Sequence, residues 1–274
     1  GVWKLVDSNG DGEADRHELF CNSFTQSAEA REFPNSIKLA PDGSFVISKG
    51  GQQASTISRL NGSVLRIAPD GGSHRVLGVG FRQPFIGVHP ENGLVTASDQ
   101  EGQYIPSTPL HIVKDGAFYG FLSDLLPREA YPGPIADPLT WIPHSVNPSG
   151  TSQVWLTGAK LGPLNDSLVH VGFNRPEIFI ARDFDVPALN AAVNPADGCL
   201  YISGFQITAW GTTAKPLSAL ARLRYTGADS TLPNEIAAMD KGVLIRFDVK
   251  LDPTTALDLT NYSLERWHYK RAHT

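Results

Sequence analysis

The residues best suited to chemistry lie near the start of the chain, where oxygen-bearing side chains recur at alternate positions. Residues 7–18 read DSNGDGEADRHE and match the pattern D-x-[DN]-x-[DN]-G-x5-E completely. Calcium prefers six to eight hard oxygen ligands, and a glycine at the sharp bend lets one short loop supply them. We therefore predict a calcium site, with the alternative of a solvated acidic turn. The predicted ligands are the side chains of Asp7, Asn9, Asp11 and Asp15 and the carbonyl group of Glu13.

A second concentration of polar residues lies within residues 80–120, where turns separate three short apolar runs. The turns contain Asn92-Gly93 and Asp115-Gly116. Such dipeptides between β-rich runs are strong signals for antiparallel hairpins. The loop between the second and third runs begins Asp99-Gln100-Glu101-Gly102, and we expect function there because loops on a rigid scaffold commonly carry binding sites.

The same pattern of apolar run, proline, turn and apolar run recurs four times. The four copies occupy residues 36–48, 85–98, 144–158 and 189–204. Four strands per unit of about 40–50 residues is typical of a β-propeller blade. We therefore predict an all-β fold with four full blades plus a half blade, residues 1–24, of a six-bladed ring. A β-sandwich is the alternative, although it does not require this register of turns.

The organisation of the chain follows from this repeat. Residues 1–235 are predicted to be a partial propeller whose N-terminal blades are missing, because the chain begins inside a strand-like run. Residues 236–274 resemble the start of an Ig-like β module, with strands at Val243–Phe247 and Tyr262–Tyr269. The alternative for this tail is a closing propeller strand followed by a frayed end.

The blade pattern also predicts which end of the propeller is functional. With strands labelled A to D from the centre outward, the A–B and C–D turns are tight and face one end. The B–C loops face the other end, and we assign to them KGGQQASTISRLNG, DQEGQYIPST, GAKLGPLND and GFQITAWGTTAKPLS. Four long polar loops on one face predict a binding site there.

The calcium loop fits this scheme as the C–D turn of the half blade. An EF-hand needs a helix on each side, whereas VWKLV and LFCNSF on the two sides of the loop have the composition of strands. A calcium hairpin, of the kind carried by integrin propeller blades, would close with Asp15 rather than Glu18. We therefore expect a structural calcium at the end opposite the long loops.

Composition excludes several classes of function. The net charge is −5 without a basic run, so nucleic acid is not an expected partner, and no apolar stretch approaches the ~20 residues of a membrane span. No GxSxG, HExxH, P-loop or GxGxxG motif is present. Cys21 and Cys199 have no metal-binding spacing, and we favour two buried thiols over a disulfide.

Several spaced motifs, in order, resemble the glucose/sorbosone dehydrogenase family, the soluble quinoprotein six-bladed propellers. The matching segments are NGSVLRIAPDGG, GFRQPFIGVHPENGLVTASDQEG and HIVKDGAFYG, and the likeness runs over about residues 34–225. Together with DSNGDGEADR, these motifs look closer still to large secreted membrane-bound-dehydrogenase-like proteins of environmental bacteria.

This resemblance implies a site for pyrroloquinoline quinone over the ring centre, on the face of the long loops. Arg82 matches the arginine that contacts the quinone, and Gln83 replaces the usual asparagine. Gln52 matches a cofactor-contacting glutamine. The Asp99–Gly102 loop, with Asp99 and Gln100, matches the segment whose oxygens hold a calcium beside the cofactor.

The implied chemistry is hydride transfer from a sugar or alcohol to the quinone, while a base takes the hydroxyl proton. An ungapped match places Glu32 at the family's catalytic histidine, with Asn35 nearby. Pro187 and Leu189 stand where the family has two arginines. These departures favour a carboxylate base or no catalysis.

A few further residues have two interpretations each. His144 is predicted to enter an A strand and either to face the central channel or to be a hydrogen-bonded core residue. His89 is interpreted as structural, while Trp210 and Tyr104 either stack on a sugar ring or pack internally.

Two hypotheses follow. The first is a secreted or periplasmic quinoprotein-like dehydrogenase domain that oxidises a sugar or alcohol and passes electrons to a cytochrome or another acceptor. The second is a non-catalytic propeller that binds carbohydrate or a protein partner within a multidomain protein. A lactonase is a weaker third, since it requires several central carboxylates on a metal and the sequence has few.

Overall fold

The computed structural model describes residues 1–25, 31–52, 57–100, 107–123, 133–175, 177–178, 185–207 and 211–264. The described chain is almost entirely β-strand, connected by turns and loops. Its contacts divide it into a larger unit that includes Gly1–Arg224 and a smaller unit within Tyr225–Lys270. Among the described residues, no helix has the length and apolar character needed to cross a bilayer.

Within the described residues, the strands of the larger unit form five separate sheets. A hairpin comes first and is followed by the sheets of four blades, and apart from β10 the strands of each sheet lie in chain order. The hairpin consists of β1 (Val2–Val6) and β2 (Arg16–Cys21). The first blade contains β3 (Pro34–Leu39), β4 (Phe45–Lys49), β5 (Ser63–Ile67) and β6 (His74–Val79), and the second contains β7 (Phe85–Val88), β8 (Val95–Ser98), β9 (Thr108–Ile112) and β11 (Thr140–Ile142), with the short strand β10 (Ala117–Phe118) between β9 and β11 in the chain. The third blade contains β12 (Gly150–Trp155), β13 (Leu168–Gly172) and β14 (Glu177–Ile178), and the fourth contains β15 (Ala188–Val193), β16 (Leu200–Phe205) and β17 (Ser218–Leu223).

The first strand of each blade lies innermost, as a propeller requires. Strands β3, β7, β12 and β15 contact one another in that order, so successive sheets are arranged side by side around a common axis. The middle strands are buried on both faces, because Val46 packs toward the second blade while Ile47 packs toward the β1–β2 hairpin. A propeller-like all-β fold is thereby confirmed, whereas the number of blades in the ring stays a prediction. Among the described residues, the sheets of the four blades have five, four, three and three strands, and the fifth strand of the first sheet is β10.

The hairpin at the start of the chain confirms the strands predicted on both sides of the acidic loop. Strands β1 and β2 pair antiparallel, and the loop between them connects the two strands rather than two helices. Cys21 and Phe24 pack with Leu65 and Ile67 of the first blade. The hairpin thus covers the open face of the first blade.

The predicted register of the third repeat is wrong. The A strand was expected at His144–Asn147 and the B strand after Pro148, but the innermost strand is β12, Gly150–Trp155. The segment GAKLGPLND therefore belongs to the A–B connection, where Lys160 donates its backbone N–H to the carbonyl of Gly198 in the β15–β16 turn, at 2.8 Å. Its Ala159 and Leu161 are buried in the core, so only three of the four predicted loops share one end.

The outer edge of the second blade also differs from the simple repeat. After the turn at Asp115, the chain leaves the second blade and β10 pairs in parallel with β6 at the edge of the first blade. The fourth strand of the second blade is supplied later by β11, which pairs with β9. This exchange places Tyr119 in the core between the two blades.

The smaller unit contains a hairpin of β18 (Glu235–Met239) and β19 (Gly242–Arg246), followed by a one-turn helix, α1 (Pro253–Ala256). Strand β19 coincides with the predicted strand at Val243–Phe247. Tyr262–Leu264 are not in a strand, and the rest of the second predicted strand lies outside the described residues. The Ig-like assignment, and with it the division at residue 235, stays a prediction.

The two cysteines are free thiols, with Cys21 buried and Cys199 half-buried. The prediction of two buried thiols is confirmed for Cys21, whereas Cys199 is only partly buried.

The packing of β10 on the first blade generates a stability prediction. A Cβ atom at Gly78 would lie 2.7 Å from Cε2 of Tyr119, whose ring is stacked on Phe81 with centroids 4.4 Å apart. We expect Gly78→Ala to lower the free energy of unfolding by about 1–3 kcal/mol through overpacking, measured by denaturant titration. Gly72→Ala is the matched control, because its nearest neighbour would be an Asp70 oxygen at 3.4 Å. Equal midpoints for the two variants would contradict this packing.

Candidate functional site

A buried carboxylate organises the loop end of the first two blades. Asp99 follows β8 and is 2% exposed. One of its oxygens accepts the N–H of Arg82 at 2.8 Å, and the other accepts those of Gln83 and Gln100 at 2.6 and 2.9 Å. The peptide groups at Arg82 and Gln83 are thus held by the first residue of the second blade's B–C loop.

Arg82 connects three segments at this end. Its guanidinium donates to Oε1 of Gln100 at 2.7 Å, and its carbonyl accepts the N–H of Gly51 at 2.8 Å. The side chain is half-buried. Arg82 therefore lies where the B–C loop of the first blade, the D–A connection and the B–C loop of the second blade meet.

Gln83 and Asn35 extend this network toward the innermost strand. The Gln83 amide donates to the carbonyl of Arg31 at 2.5 Å and accepts from Asn35 Nδ2 at 3.2 Å. Asn35 Nδ2 also donates to the carbonyl of Pro84 at 3.1 Å. These contacts bring together two residues, Asn35 and Gln83, that stand 48 positions apart in the chain.

Two buried acceptors beside this network have no hydrogen-bond partner. They are Oδ1 of Asn35 and Oε1 of Gln52. Gln52 forms an isolated antiparallel bridge with Arg31, next to a glycine pair that permits close approach of the backbone. A Cβ atom at Gly50 would lie 2.2 Å from the carbonyl oxygen of Arg31, so only glycine fits there. Unpartnered buried acceptors are uncommon in proteins and are candidates for ligand contact.

Glu32, predicted as the base, is fully buried beneath the first B–C loop. Its carboxylate accepts the N–H of Ser58 at 2.9 Å and a short hydrogen bond from Asn61 Nδ2. These donors hold the far end of the loop to the segment that leads into β3. The geometry favours a structural role, because a proton acceptor must reach the substrate hydroxyl and Glu32 has no exposed surface.

Lys49 is the residue that sequence reasoning missed. It is the last residue of β4, is fully buried and donates from Nζ to Ser58 Oγ at 2.5 Å. Burial lowers the pKa of its ammonium group to about 8, and the negative charge of Glu32 partly offsets this effect. The signal in the sequence was a lysine that ends the apolar strand FVISK immediately before Gly50-Gly51.

The remaining predicted site residues lie elsewhere. His144 is exposed in the turn between β11 and β12, so it does not enter an A strand as predicted. It lies in the connection from the second blade to the third, whereas the network above is built from the first two blades. Pro187 and Leu189 lie at the start of β15. Glu101, Gly102, Tyr104 and Trp210 lie outside the described residues.

The acidic loop between β1 and β2 is fully exposed and internally hydrogen-bonded. Asp7 accepts the N–H groups of Gly10 and Gly12 at 2.6 and 2.8 Å, and these backbone hydrogen bonds lower the pKa of its carboxyl group. The Asp15 carboxylate accepts from the Ser8 hydroxyl at 2.6 Å. Among the described residues, no three histidine, cysteine or acidic side chains are grouped so that they could hold a metal ion.

Comparisons of the fold find similar proteins among solved structures. Two glucose dehydrogenases share 16% identity with the chain, with 83% of this chain and 73% of each of theirs aligned and TM-scores of 0.60 and 0.57. A PQQ-bound aldose sugar dehydrogenase from Streptomyces coelicolor is similar at a TM-score of 0.49, with 15% identity over 69% of this chain and 61% of its own. The chain thus spans 61–73% of the lengths of these structures.

No protein-family model matches the sequence, and no curated protein matches it. At these identities the likeness to the glucose dehydrogenases concerns the fold. It confirms, at that level, the resemblance to the glucose/sorbosone dehydrogenases that the sequence motifs indicated.

The burial of Lys49 predicts a specific dependence of stability on pH. The unfolded lysine has a pKa near 10.5 and the folded one a pKa of about 8, so between these values the unfolded state binds more protons and stability rises with pH. We expect the free energy of unfolding of the wild type to increase relative to Lys49→Met by about 3 kcal/mol from pH 8 to pH 10.5. Denaturant titrations across that range measure it.

Lys114→Met is the control for the exchange of lysine for methionine, since Lys114 is exposed. A difference between wild type and Lys49→Met that stays constant over the range would show that Lys49 is not buried in this way.

Proposed function

We propose that the protein is a quinoprotein-like dehydrogenase domain that oxidises a sugar or an alcohol with a pyrroloquinoline quinone cofactor. The observation that carries this proposal is the network around Asp99, which assembles Arg82, Gln83, Gln100 and Asn35, with Gln52 beside them, at one end of a glucose-dehydrogenase-like fold. The sequence motifs, which are far apart in the chain, predict cofactor contacts at Arg82, Gln83, Gln100 and Gln52, whereas they place Asn35 beside the predicted base.

The residues at this end fit a polar, anionic group. Arg82 is half-buried at this end, and a guanidinium is well suited to pair with carboxylate oxygens. The unpartnered acceptors of Asn35 and Gln52 suit an N–H or O–H donor. We assign Arg82, Gln52 and Asn35 to cofactor binding, while Gln83 and Asp99 position them. Hydride acceptance is the chemistry that such a quinone supplies when bound.

Asp99 is poorly placed to act as a ligand of the calcium expected beside the cofactor. Both oxygens of this carboxylate already accept backbone N–H groups, so Asp99 orders the loop rather than presenting a free ligand. Gln100 is committed to Arg82. Calcium binding there would therefore depend on other oxygens of the loop.

A second candidate function is a non-catalytic propeller that binds a carbohydrate or protein partner. The burial of Glu32 favours it, because the position of the catalytic histidine is then occupied by a residue that braces a loop. Pro187 and Leu189, in place of two cofactor-binding arginines, favour it as well.

Quinone binding and turnover separate these two functions. We expect addition of the quinone and Ca²⁺ to shift the quinone absorbance and to support dye-linked oxidation of aldoses or alcohols. Arg82→Gln should weaken quinone binding by about tenfold or more, since a charge-assisted hydrogen bond contributes roughly 1.5–3 kcal/mol. Arg59→Gln is the control, because Arg59 is exposed at the same end and donates to the carbonyl of Asn22.

Binding without oxidation would support the second function. Absence of any absorbance shift, or equal binding by wild type and Arg82→Gln, would contradict the assignment of the quinone site.

The proposed surroundings of the domain follow from the dehydrogenase function. We propose a secreted or periplasmic location and a cytochrome or another electron acceptor as partner.

We also propose that the β1–β2 hairpin binds a structural Ca²⁺ through Asp7, Asn9, Asp11, the carbonyl of Glu13, and Asp15. The oxygen-only set suits calcium, but the acidic side chains are not grouped around a common point in this structure. Metal binding would therefore require the loop to rearrange and to replace the bonds that Asp7 now accepts from Gly10 and Gly12. The charge on Asp7 is favoured down to low pH, because the same hydrogen bonds lower its pKa.

Calcium should therefore stabilise the wild type. At a concentration 100 times the dissociation constant we expect a gain of about 2.7 kcal/mol, seen as a rise in the midpoint of thermal unfolding. Asp15→Asn should reduce this gain strongly. Glu18→Gln should retain it, because the hairpin closes at Asp15, whose N–H bonds to the carbonyl of Val6 at 2.9 Å. Loss of the gain in Glu18→Gln with retention in Asp15→Asn would favour an EF-hand-like ligand set instead.

A further inference from the structure

A cleft of about 350 Å³ lies between the first two blades at the end opposite the Asp99 network. Arg66 and Arg75 of the first blade line one side, and Asn92 and Asp115 from turns of the second blade line the other. Leu77 and Val95, both from the core between the blades, contribute apolar surface. The volume is in the range of small-molecule sites.

The two arginines lie directly opposite each other on neighbouring strands. Arg66 of β5 and Arg75 of β6 are cross-strand partners, and such pairs share one face of the sheet. That face is the one that carries Val64 and Leu77 toward the second blade. Like charges placed opposite each other destabilise a sheet unless anionic groups compensate them.

The carboxylates that pair with these two arginines, Asp42 and Asp115, come from two separate turns and are largely exposed. Arg66 Nη1 contacts Asp42 at 3.1 Å and the Ser44 hydroxyl at 2.8 Å, and Arg75 Nη1 contacts Asp115 at 2.7 Å. The Arg75–Asp115 pair is about 60% exposed on both sides, so it contributes little to stability. An anion that competes for Arg75 would therefore displace a weak partner.

Arg66 carries a donor that the protein leaves unused. Its Nε is buried and has no hydrogen-bond partner, although Arg66 lines the cleft. A buried cationic donor without an acceptor is costly, and an oxygen of a ligand would satisfy it.

We propose that this cleft is a second binding site, for a small carboxylate with an apolar body. The carboxylate lies between Arg66 and Arg75, with one oxygen on the Nε–H of Arg66, and the apolar body lies on Leu77 and Val95. Asp115 competes with the ligand for Arg75. The site is separate from the proposed quinone site, which is formed by loops at the other end of the blades.

Calorimetric titration with 4-methylpentanoate, and with the uncharged 4-methylpentanamide as its isostere, tests this proposal. We expect the carboxylate to bind with a dissociation constant of about 1 mM or below at low ionic strength, and the amide to bind at least tenfold more weakly. Arg75→Gln should weaken carboxylate binding about tenfold, whereas Asp115→Asn should tighten it by a factor of about 3–10, since the competing charge is removed.

Arg222→Gln is the control, because Arg222 is exposed on β17 of the fourth blade and should leave the affinity unchanged. Tightening in Asp115→Asn is a result that a merely structural role of the ion pair does not produce. No binding of the carboxylate, equal binding of carboxylate and amide, or an affinity unaffected by both cleft variants would overturn the proposal.

Discussion

The sheets of the larger unit can bury their apolar residues only by packing against neighbours on both faces. In the first blade, successive residues of β4 and β5 point alternately to the β1–β2 hairpin and to the second blade. Such a blade has no free face, since each β-strand places consecutive side chains on opposite sides. The stability of any one blade therefore depends on the next, and the connections between strands are confined to the two ends of the assembly.

The second and third blades pack against each other through buried polar groups. Gln153 of β12 is fully buried, accepts from Thr96 at 2.5 Å and donates to the carbonyl of Phe85 at 3.0 Å. His170 of β13 is also buried, and burial lowers its pKa to about 4, so it packs as a neutral ring near neutral pH. Buried polar groups are tolerated when they are hydrogen-bonded, and this interface uses them in place of an apolar core.

The hydrogen bonds of Asp99 both stabilise the fold and position the residues proposed to bind a cofactor. A carboxylate that accepts three backbone N–H groups fixes the two peptide groups that carry Arg82 and Gln83, so the presentation of the guanidinium depends on the second blade. Lys49 and Glu32 perform a comparable task below the first loop, through Ser58. Buried charged side chains therefore hold in place the residues proposed to bind a cofactor. Glu32, at the position expected to supply a base, is one of these buried charged side chains.

Much of this protein could be predicted from its sequence, because the relevant signals are local. Turn dipeptides and apolar runs predicted most strands of the first two blades, and the strands around the acidic loop excluded an EF-hand. Spaced motifs singled out Arg82, Gln83, Asp99 and Gln52, which the structure brings to one end. These features depend on backbone preferences and on short motifs, which neighbouring residues largely determine.

Tertiary packing determined which polar residues and strands are buried, and the hydropathy of the sequence did not indicate this. The strand Gly150–Trp155 is innermost although Thr151, Ser152 and Gln153 are polar, because its neighbours across the blade interface supply hydrogen bonds. The burial of Lys49 and Glu32, the exchange of β10 onto the first blade and the opposed arginines of the cleft likewise arise from residues that are distant in the chain. Each depends on which surfaces meet, and that is settled only when the blades pack together.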